Sequence, residues 1–225
     1  MNWDWVVQNV SYLGGLLAGH ALVLGLTLAA GVVIGIPLGY LLAKLRVGRV
    51  VAPVLGLLSY ASAFGLLLIA PIVRGTAIDD RSNLVLAFGT LAVLRICRSV
   101  LVAHRERRPA APYAYLRAAG FGPGTRFRLD LAYLAPPVLA TVGRVAVGTV
   151  VLTTIGGAIV SARFGPSGEL GGLIYRGLDG RDLTQAVTGL VLVAALAIVV
   201  DLIFKGLRRL AGAEPAESEP IGVTA

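Results

Sequence analysis

Long apolar stretches, separated by short polar and basic segments, dominate the chain. Five of them are long enough to cross a bilayer, because a helix rises about 1.5 Å per residue and the hydrocarbon core is about 30 Å thick. These predicted spans cover residues 21–43, 50–73, 83–103, 131–160 and 186–204. The third span contains Arg95 and Arg98, which both lie toward one end and can snorkel from there to the membrane surface. The pattern predicts an all-α membrane protein with about five transmembrane helices.

The remaining segments are short and differ in character. Residues 1–20 carry Trp3, Trp5 and Tyr12 among aliphatic residues, which predicts a helix lying at the outer membrane interface. Residues 21–210 form the predicted membrane domain, with a cytoplasmic loop over residues 104–130. Residues 211–225 are acidic and contain prolines, which predicts a disordered cytoplasmic tail.

Composition supports the membrane assignment. The 225 residues are 56% hydrophobic and only 14% charged, too few charges to cover the surface of a soluble enzyme or a nucleic-acid-binding domain. One cysteine and two histidines leave no cluster for a metal centre. The net charge of +8 is unevenly distributed: three alternate segments hold twelve lysines and arginines and the others hold five. By the positive-inside rule, the N-terminus is expected outside and the C-terminus in the cytoplasm.

The segment between the third and fourth spans has a distinctive turn. It reads Pro-Tyr-Ala-Tyr-Leu-Arg-Ala-Ala-Gly-Phe-Gly-Pro-Gly from residue 112, and its glycines and proline force a turn between two helical stretches. Thr125 is the expected N-cap of the second stretch. Ala118, Ala119 and Gly120 leave a surface almost without side chains, which another protein's backbone can approach closely. An ordinary helical hairpin at the membrane surface fits the same residues.

This turn resembles the signature loop of ABC importer permeases, in which Glu-Ala-Ala is followed after three residues by glycine. Leu116, Arg117 and Ala118 lie over Glu-Ala-Ala, so a leucine replaces the acidic residue and an arginine replaces an alanine. In that family the loop contains a coupling helix that docks into the cytoplasmic ATPase. The resemblance therefore implies an ATPase-coupling role for Leu116, Arg117, Ala118, Ala119, Gly120 and Gly122.

Three further segments resemble osmoprotectant permeases, in the same order and at similar spacing. They are residues 32–39, 168–177 and 201–209. The resemblance implies a type I ABC importer permease fold and the import of glycine betaine, carnitine or choline across the cell membrane. Methionine-type permeases, which have a similar size and layout, are the near alternative.

Neither lysine can serve a nucleotide-binding P-loop, which requires a lysine after glycine. Lys44 follows Ala43 and Lys205 follows Phe204. No catalytic residue, bound cofactor or metal is predicted for this chain, and the resemblance implies that ATP and magnesium bind a separate subunit. The implied partners are cytoplasmic ATPase subunits, an extracellular substrate-binding protein, membrane lipid and a second permease subunit, identical or different. No nucleic-acid partner is expected.

Arg144 is the most unusual residue of the fourth span. Thr141, Arg144 and Gly148 share one helical face at i, i+3 and i+7, and Thr149 lies close to it. A guanidinium this deep in the membrane should face protein or water. The face therefore either lines a translocation pathway or gate, or holds an arginine bonded to carbonyls of a neighbouring helix.

The arginines of the third span leave two interpretations, whereas the histidines leave one. Arg95 and Arg98 either snorkel to the cytoplasmic surface or contribute to a gate, and His20 and His104 are expected at the membrane interfaces. No Asp or Glu lies near mid-membrane, which argues against an ion-driven carrier. A carrier using only backbone carbonyls, or a membrane scaffold that transports nothing, remains an alternative.

Overall fold

The computed structural model describes residues 2–59, 63–77, 79–106, 115, 118–164 and 168–211. Within these residues the regular elements are all α-helices, which confirms the predicted fold class. In chain order they are α1 (Trp3–Gln8), α2 (Val10–Lys44), α3 (Gly48–Leu58), α4 (Ala63–Arg74), α5 (Arg81–Glu106), α6 (Pro123–Phe164), α7 (Leu170–Asp179) and α8 (Leu183–Leu210).

Four of these helices, α2, α5, α6 and α8, are long and apolar enough to cross a membrane. The pair α3 and α4 passes the same test together, but it is bent by 95°. The described residues therefore contain four spanning helices, or five if the bent pair is one span, in agreement with the prediction of about five.

The predicted second span, over residues 50–73, is divided into two helices. At the end of α3 the hydroxyl of Ser59 donates a hydrogen bond to the carbonyl of Leu55, at 2.6 Å. Such back-bonding competes with the helical hydrogen-bond pattern and favours a bend. Hydropathy alone does not detect this division, because both halves are equally apolar.

The first long helix begins at Val10, within the segment 1–20 for which the sequence predicts an interfacial helix. Only the short α1 remains separate. Leu13 and Leu16 are buried in the same apolar cluster as residues of α6, α7 and α8. Tertiary packing thus extends α2 to 35 residues, about 50 Å, which the local aromatic pattern does not reveal.

The predicted cytoplasmic loop over residues 104–130 is helical at both ends. Helix α5 continues to Glu106, and α6 begins at Pro123, which suits the first turn because it has no N–H to leave unpaired. Thr125, the expected N-cap, lies inside α6. Of the predicted tail over residues 211–225, only Ala211 lies within the described residues.

A glycine stripe on α2, formed by Gly31, Gly35 and Gly39, allows α2 and α5 to pack closely. A Cβ atom on Gly35 would lie 3.0 Å from the carbonyl oxygen of Val93, and one on Gly39 would lie 2.5 Å from that of Cys97. Small residues at every fourth position let helix backbones approach closely in membranes. The stripe therefore sets the distance between the two helices.

Helix α7 is held against its neighbours in the same way. A Cβ atom on Gly171 would lie 1.8 Å from the carbonyl oxygen of Thr154 in α6. One on Gly177 would lie 2.4 Å from the backbone nitrogen of Ala186 in α8. The glycines of the segment 168–177 thus fit α7 between α6 and α8.

Gly39→Ala is expected to destabilise the protein, since the added methyl group collides with the backbone of α5. Overpacking of this kind costs about 1–3 kcal/mol. Gly25→Ala, on the same helix, is the matched control, because a Cβ atom there meets nothing within 4 Å. Thermal unfolding in detergent should show a lower Tm for Gly39→Ala and not for Gly25→Ala. Equal Tm values for the two variants would contradict the role of the stripe.

Candidate functional site

The segment that joins α5 to α6 presents an exposed surface of small and aromatic residues. We call it the elbow patch: Tyr115, Ala118, Ala119, Gly120 and Phe121, all of which are exposed. The backbone N–H of Ala119 donates to the carbonyl of Tyr115 at 2.8 Å, which closes a helical turn. Gly120 then adopts φ +75°, a conformation that favours glycine, and ends it.

The structure describes part of the predicted coupling set. Ala118, Ala119, Gly120 and Gly122 are exposed, and Leu116 and Arg117 lie outside the described residues. A Cβ atom on Gly120 or Gly122 would meet nothing within 4 Å. The small residues therefore leave an open surface, and the two aromatic residues of the patch, which sequence reasoning did not single out, add apolar area to it.

A buried polar cluster, which we call the stem cluster, joins the two helices that carry the elbow. It consists of Tyr40 on α2, His104 on α5 and Asp130 on α6. The hydroxyl of Tyr40 donates to Oδ2 of Asp130 at 3.0 Å. Nδ1 of His104 lies 3.9 Å from Oδ1 of Asp130, and the rings of His104 and Tyr40 meet edge to face at 5.3 Å. His104 and Asp130 are each only 5% exposed, so both are buried within the bundle, and the position of His104 at a membrane interface stays a prediction.

One face of α6 is exposed along most of its length. Tyr133, Arg144, Val151, Ile155 and Ile159 recur at intervals of four, seven or eleven residues, which places them on one side of the helix. The aliphatic residues of this face suit lipid or a partner helix. The guanidinium of Arg144 does not suit lipid and requires contact with protein or water.

Arg144 is exposed and bonds to its own helix. Its Nε donates to the carbonyl of Ala140 and its Nη2 to Oγ1 of Thr141, both at 3.3 Å. Within the described residues, Arg144 therefore has no hydrogen bond to a neighbouring helix, which was the second interpretation of this face. Gly148 lies one turn further along, with nothing within 4 Å of a Cβ atom placed on it.

The two threonines predicted for this face point elsewhere. Thr141 is half-buried against α5, where its hydroxyl lies 2.8 Å from that of Ser99. Thr149 is buried, and its hydroxyl donates to the carbonyl of Val145 at 2.8 Å. Of the four candidates on α6, Arg144 and Gly148 lie on the open face, Thr141 lies at its edge and Thr149 lies inside the bundle.

Arg95 and Arg98 lie against α3. Nη2 of Arg95 donates to the carbonyl of Ser59 at 3.4 Å, and Nε of Arg98 lies 3.0 Å from the position of a Cβ atom on Gly56. The carbonyl end of a helix carries partial negative charge, which a cation stabilises. Arg95 thus stabilises the end of α3, where the bent pair divides, and Arg98 packs beside Gly56 of the same helix. The snorkelling and gating interpretations stay predictions.

At the opposite end of the bundle, an ion pair holds the segment before α7. Nε of Arg81 donates to Oε1 of Glu169 at 2.7 Å, and Glu169 is only 2% exposed. A Cβ atom on Gly19 would lie 2.4 Å from the carbonyl oxygen of Gly168, so α2 comes very close to the same segment. His20, expected at the interface, is fully buried beside it and its Nε2 lies 3.1 Å from the carbonyl oxygen of Val150.

Asp80 immediately precedes α5 at this end. The backbone N–H of Ser82 donates to its carboxylate at 2.8 Å, and this bond lowers the pKa of Asp80. The carboxylate is thereby favoured, so its contribution to stability is present above its ordinary pKa and is lost as the pH falls through the lowered value.

Comparisons with known proteins agree with the fold. No family profile matches the chain. The chain is 28% identical over 212 residues to the osmoprotectant import permease protein OsmW of Salmonella typhimurium strain LT2, covering 91% of this chain and 94% of that protein.

Two crystal structures of the inward-facing MetNI methionine ABC transporter contain a similar chain. The first has a TM-score of 0.74 at 22% identity and covers 91% of this chain and 98% of that one. The second has a TM-score of 0.70 at 23% identity, covering 88% and 97%.

The fold is that of an ABC importer permease, and the resemblance seen in the sequence is confirmed. The chain is a multi-pass membrane protein. The two permease groups left open by the sequence, osmoprotectant and methionine, are the groups named by the relative and by the solved structures.

If the exposed face of α6 lines an aqueous pathway, a cysteine at position 144 should react with a water-soluble thiol reagent. Ile198→Cys, at an exposed apolar position on α8, is the control and should react several-fold more slowly because it faces lipid. Cys97, the only native cysteine, is buried and contributes little background. The measurement is the rate of modification in intact membranes. Equal rates at the two positions would place Arg144 outside the pathway.

Proposed function

We propose that this chain is the permease subunit of an ATP-driven ABC importer for an osmoprotectant such as glycine betaine, carnitine or choline. One observation carries the proposal: the chain matches a chain of the MetNI methionine ABC transporter in fold, and the osmoprotectant import permease OsmW in sequence, over 91% of its length in each case. The substrate class comes from the relative's name. A methionine or other amino-acid substrate is the second candidate, favoured by the methionine transporter to which the fold is similar.

ATP hydrolysis belongs to separate subunits in this proposal. Both lysines of the chain lack the preceding glycine of a P-loop, so the chain has no P-loop of its own. The elbow patch is exposed, nearly free of branched side chains at Ala118, Ala119 and Gly120, and flanked by aromatic rings. These features suit a groove on an ATPase subunit, which would bind ATP and magnesium.

A second permease subunit would cover the exposed face of α6. A charged side chain exposed to lipid at mid-span costs about 2.5–3.5 kcal/mol on insertion scales. Arg144 lies within residues 133–162, the part of α6 that is long and apolar enough to span. A second subunit, identical or different, and a water-filled path between the two would remove that cost.

Substrate choice is assigned to an extracellular binding protein. Quaternary ammonium groups are best recognised by clustered aromatic rings. Both tryptophans lie at the N-terminus, Trp3 exposed and Trp5 packed on the bundle, far in sequence from the proposed pathway. We place the N-terminus outside, as the distribution of lysine and arginine indicates, so that the ion pair of Arg81 and Glu169 faces the binding protein.

Reconstitution tests the proposal directly. The chain is co-purified with its ATPase subunits, inserted into liposomes with a binding protein, and tested for ATP-dependent uptake of glycine betaine, choline, carnitine and methionine. Uptake of a quaternary ammonium compound with stimulated hydrolysis supports the osmoprotectant assignment. Uptake of methionine alone would support the second candidate, and absence of an ATPase companion would indicate a scaffold or an ATP-independent carrier.

Gly120→Ala should uncouple ATP hydrolysis from uptake. A non-glycine residue in the left-handed region costs about 1–2 kcal/mol, so the turn at Gly120 is expected to shift. Gly124→Ala is the matched control, because that position is open and carries no positive φ. The number of solute molecules imported per ATP should fall severalfold for Gly120→Ala only. An unchanged ratio in Gly120→Ala would remove the elbow from the coupling pathway.

Asp130→Asn should also lower the coupling ratio, since it removes the charge that holds Tyr40 and His104 at the base of the elbow. A charge-assisted hydrogen bond contributes about 1.5–3 kcal/mol. Asp201→Asn serves as control, because its pair with Lys205, at 2.6 Å, lies largely exposed on α8. Tyr40→Phe combined with Asp130→Asn should be no worse than the single Asp130→Asn variant. Additive losses would show that the two residues act independently.

A further inference from the structure

A basic cavity of about 830 Å³ lies where α2 ends, α3 begins and α5 ends. Four cationic side chains line it: Lys44, Arg46, Arg49 and Arg105. None of the described residues that line it is acidic. The lining of the cavity shares no residue with the elbow patch or with the exposed face of α6, and the proposed transport mechanism does not use it.

The cavity is formed by two segments far apart in sequence. Nη2 of Arg105 donates to the carbonyl of Leu45 at 2.9 Å, 60 positions away. A Cβ atom on Gly48 would collide with the carbonyl oxygen of Leu42 and would lie 2.8 Å from the same nitrogen, so glycine allows the tight turn between α2 and α3 to which the guanidinium bonds. Positive charges that only orient a chain in the membrane need no shared cavity. Here the fold brings them together and holds one of them in place.

The cavity borders an exposed apolar surface. Leu45 and Val50, which also line it, are exposed, and so is the neighbouring Val47. A ligand that fills the cavity would thus meet cations at its head and aliphatic side chains beside it. A phospholipid with a net negative headgroup combines these properties, whereas a free phosphate ion gains nothing from the apolar border.

The geometry points to a binding site for the headgroup of an anionic phospholipid, such as phosphatidylglycerol, in the cytoplasmic leaflet. The four cations bind the headgroup phosphate, and the acyl chains lie along the exposed aliphatic residues. The leaflet assignment rests on the orientation given under the proposed function, while the binding site itself does not.

The cavity is also connected to the stem cluster. Nζ of Lys44 lies 4.1 Å above the ring of Tyr40, whose hydroxyl bonds to Asp130. His104 of the same cluster precedes Arg105 in α5. A bound headgroup would draw the ammonium of Lys44 toward itself and away from the ring of Tyr40. Lipid binding would thereby change a contact of the stem cluster, which lies at the base of the elbow.

Native mass spectrometry of the purified full-length chain tests the site. The protein is equilibrated with equal amounts of phosphatidylglycerol and phosphatidylcholine of the same acyl chains, and retained lipid is counted. The test variant is Arg46→Gln with Arg49→Gln, since in the described structure neither side chain has a hydrogen bond or ion pair to lose. The matched control, Arg208→Gln with Arg209→Gln, removes the same charge from the end of α8.

The wild type and the control should retain phosphatidylglycerol preferentially, and the test variant should bind it about 30-fold more weakly, as expected for the loss of two cations near a lipid surface. Equal retention by the test variant and the control would overturn the site. Displacement of the lipid by excess inorganic phosphate would show a free-anion site and overturn the lipid assignment.

A second measurement separates this inference from the proposed function. Glu106→Cys, at an exposed polar position next to Arg105 at the end of α5, should react with a membrane-impermeant reagent in inverted vesicles and not in intact cells. Reaction in intact cells would overturn the leaflet assignment and the proposed orientation, and would leave the lipid-binding result standing. Absence of ATP-driven uptake would contradict the proposed function and would leave the lipid-binding result standing.

Discussion

The close contact between α2 and α5 is the interaction on which the rest of the structure depends. The glycine stripe removes side chains from α2 and lets the second half of α2 meet the middle of α5 backbone to backbone. The contacts at either end follow from that spacing. Gly19 lies near Arg81 at one end, and at the other Tyr40 meets His104 and the carbonyl of Leu45, directly after α2, accepts from Arg105. A wider separation would open all of these contacts together, because each needs the two backbones at the same distance.

The described buried carboxylates are paired, as a low-dielectric environment requires. The buried carboxylates of Asp130 and Glu169 each have a specific partner near an end of the bundle, and Arg95 meets the carbonyl end of a divided helix. An unpaired group in hydrocarbon would cost several kcal/mol. Arg144 differs from these groups, since it is exposed at mid-span and its described bonds all go to its own helix. Under the proposed function, a second subunit covers this part of the surface.

Span number, fold class and the place of the elbow could be predicted from the sequence because each depends on local quantities: the length of an apolar run, the balance of charge and the turn preference of glycine. The first and last residues of the helices could not be predicted in this way. Val10 begins α2 because Leu13 and Leu16 pack on distant helices, and α3 ends where Ser59 bonds back to Leu55. The stem cluster was missed for the same reason, since Tyr40 and Asp130 are 90 positions apart. The partners of Arg95 and Arg144 depend on how each helix is rotated, which hydropathy does not fix.

The length of α2 has a mechanical consequence. At about 50 Å it exceeds the hydrocarbon thickness by some 20 Å, so one continuous rod reaches from the ion-paired segment on one surface to the stem cluster on the other. Pro37, inside the helix and close to Tyr40, is where the rod is most easily bent. A tilt of α2 about the tight contact with α5 would displace its two ends in opposite directions. The helix would then act as a lever with its fulcrum at the glycines, and opening one surface would close the other.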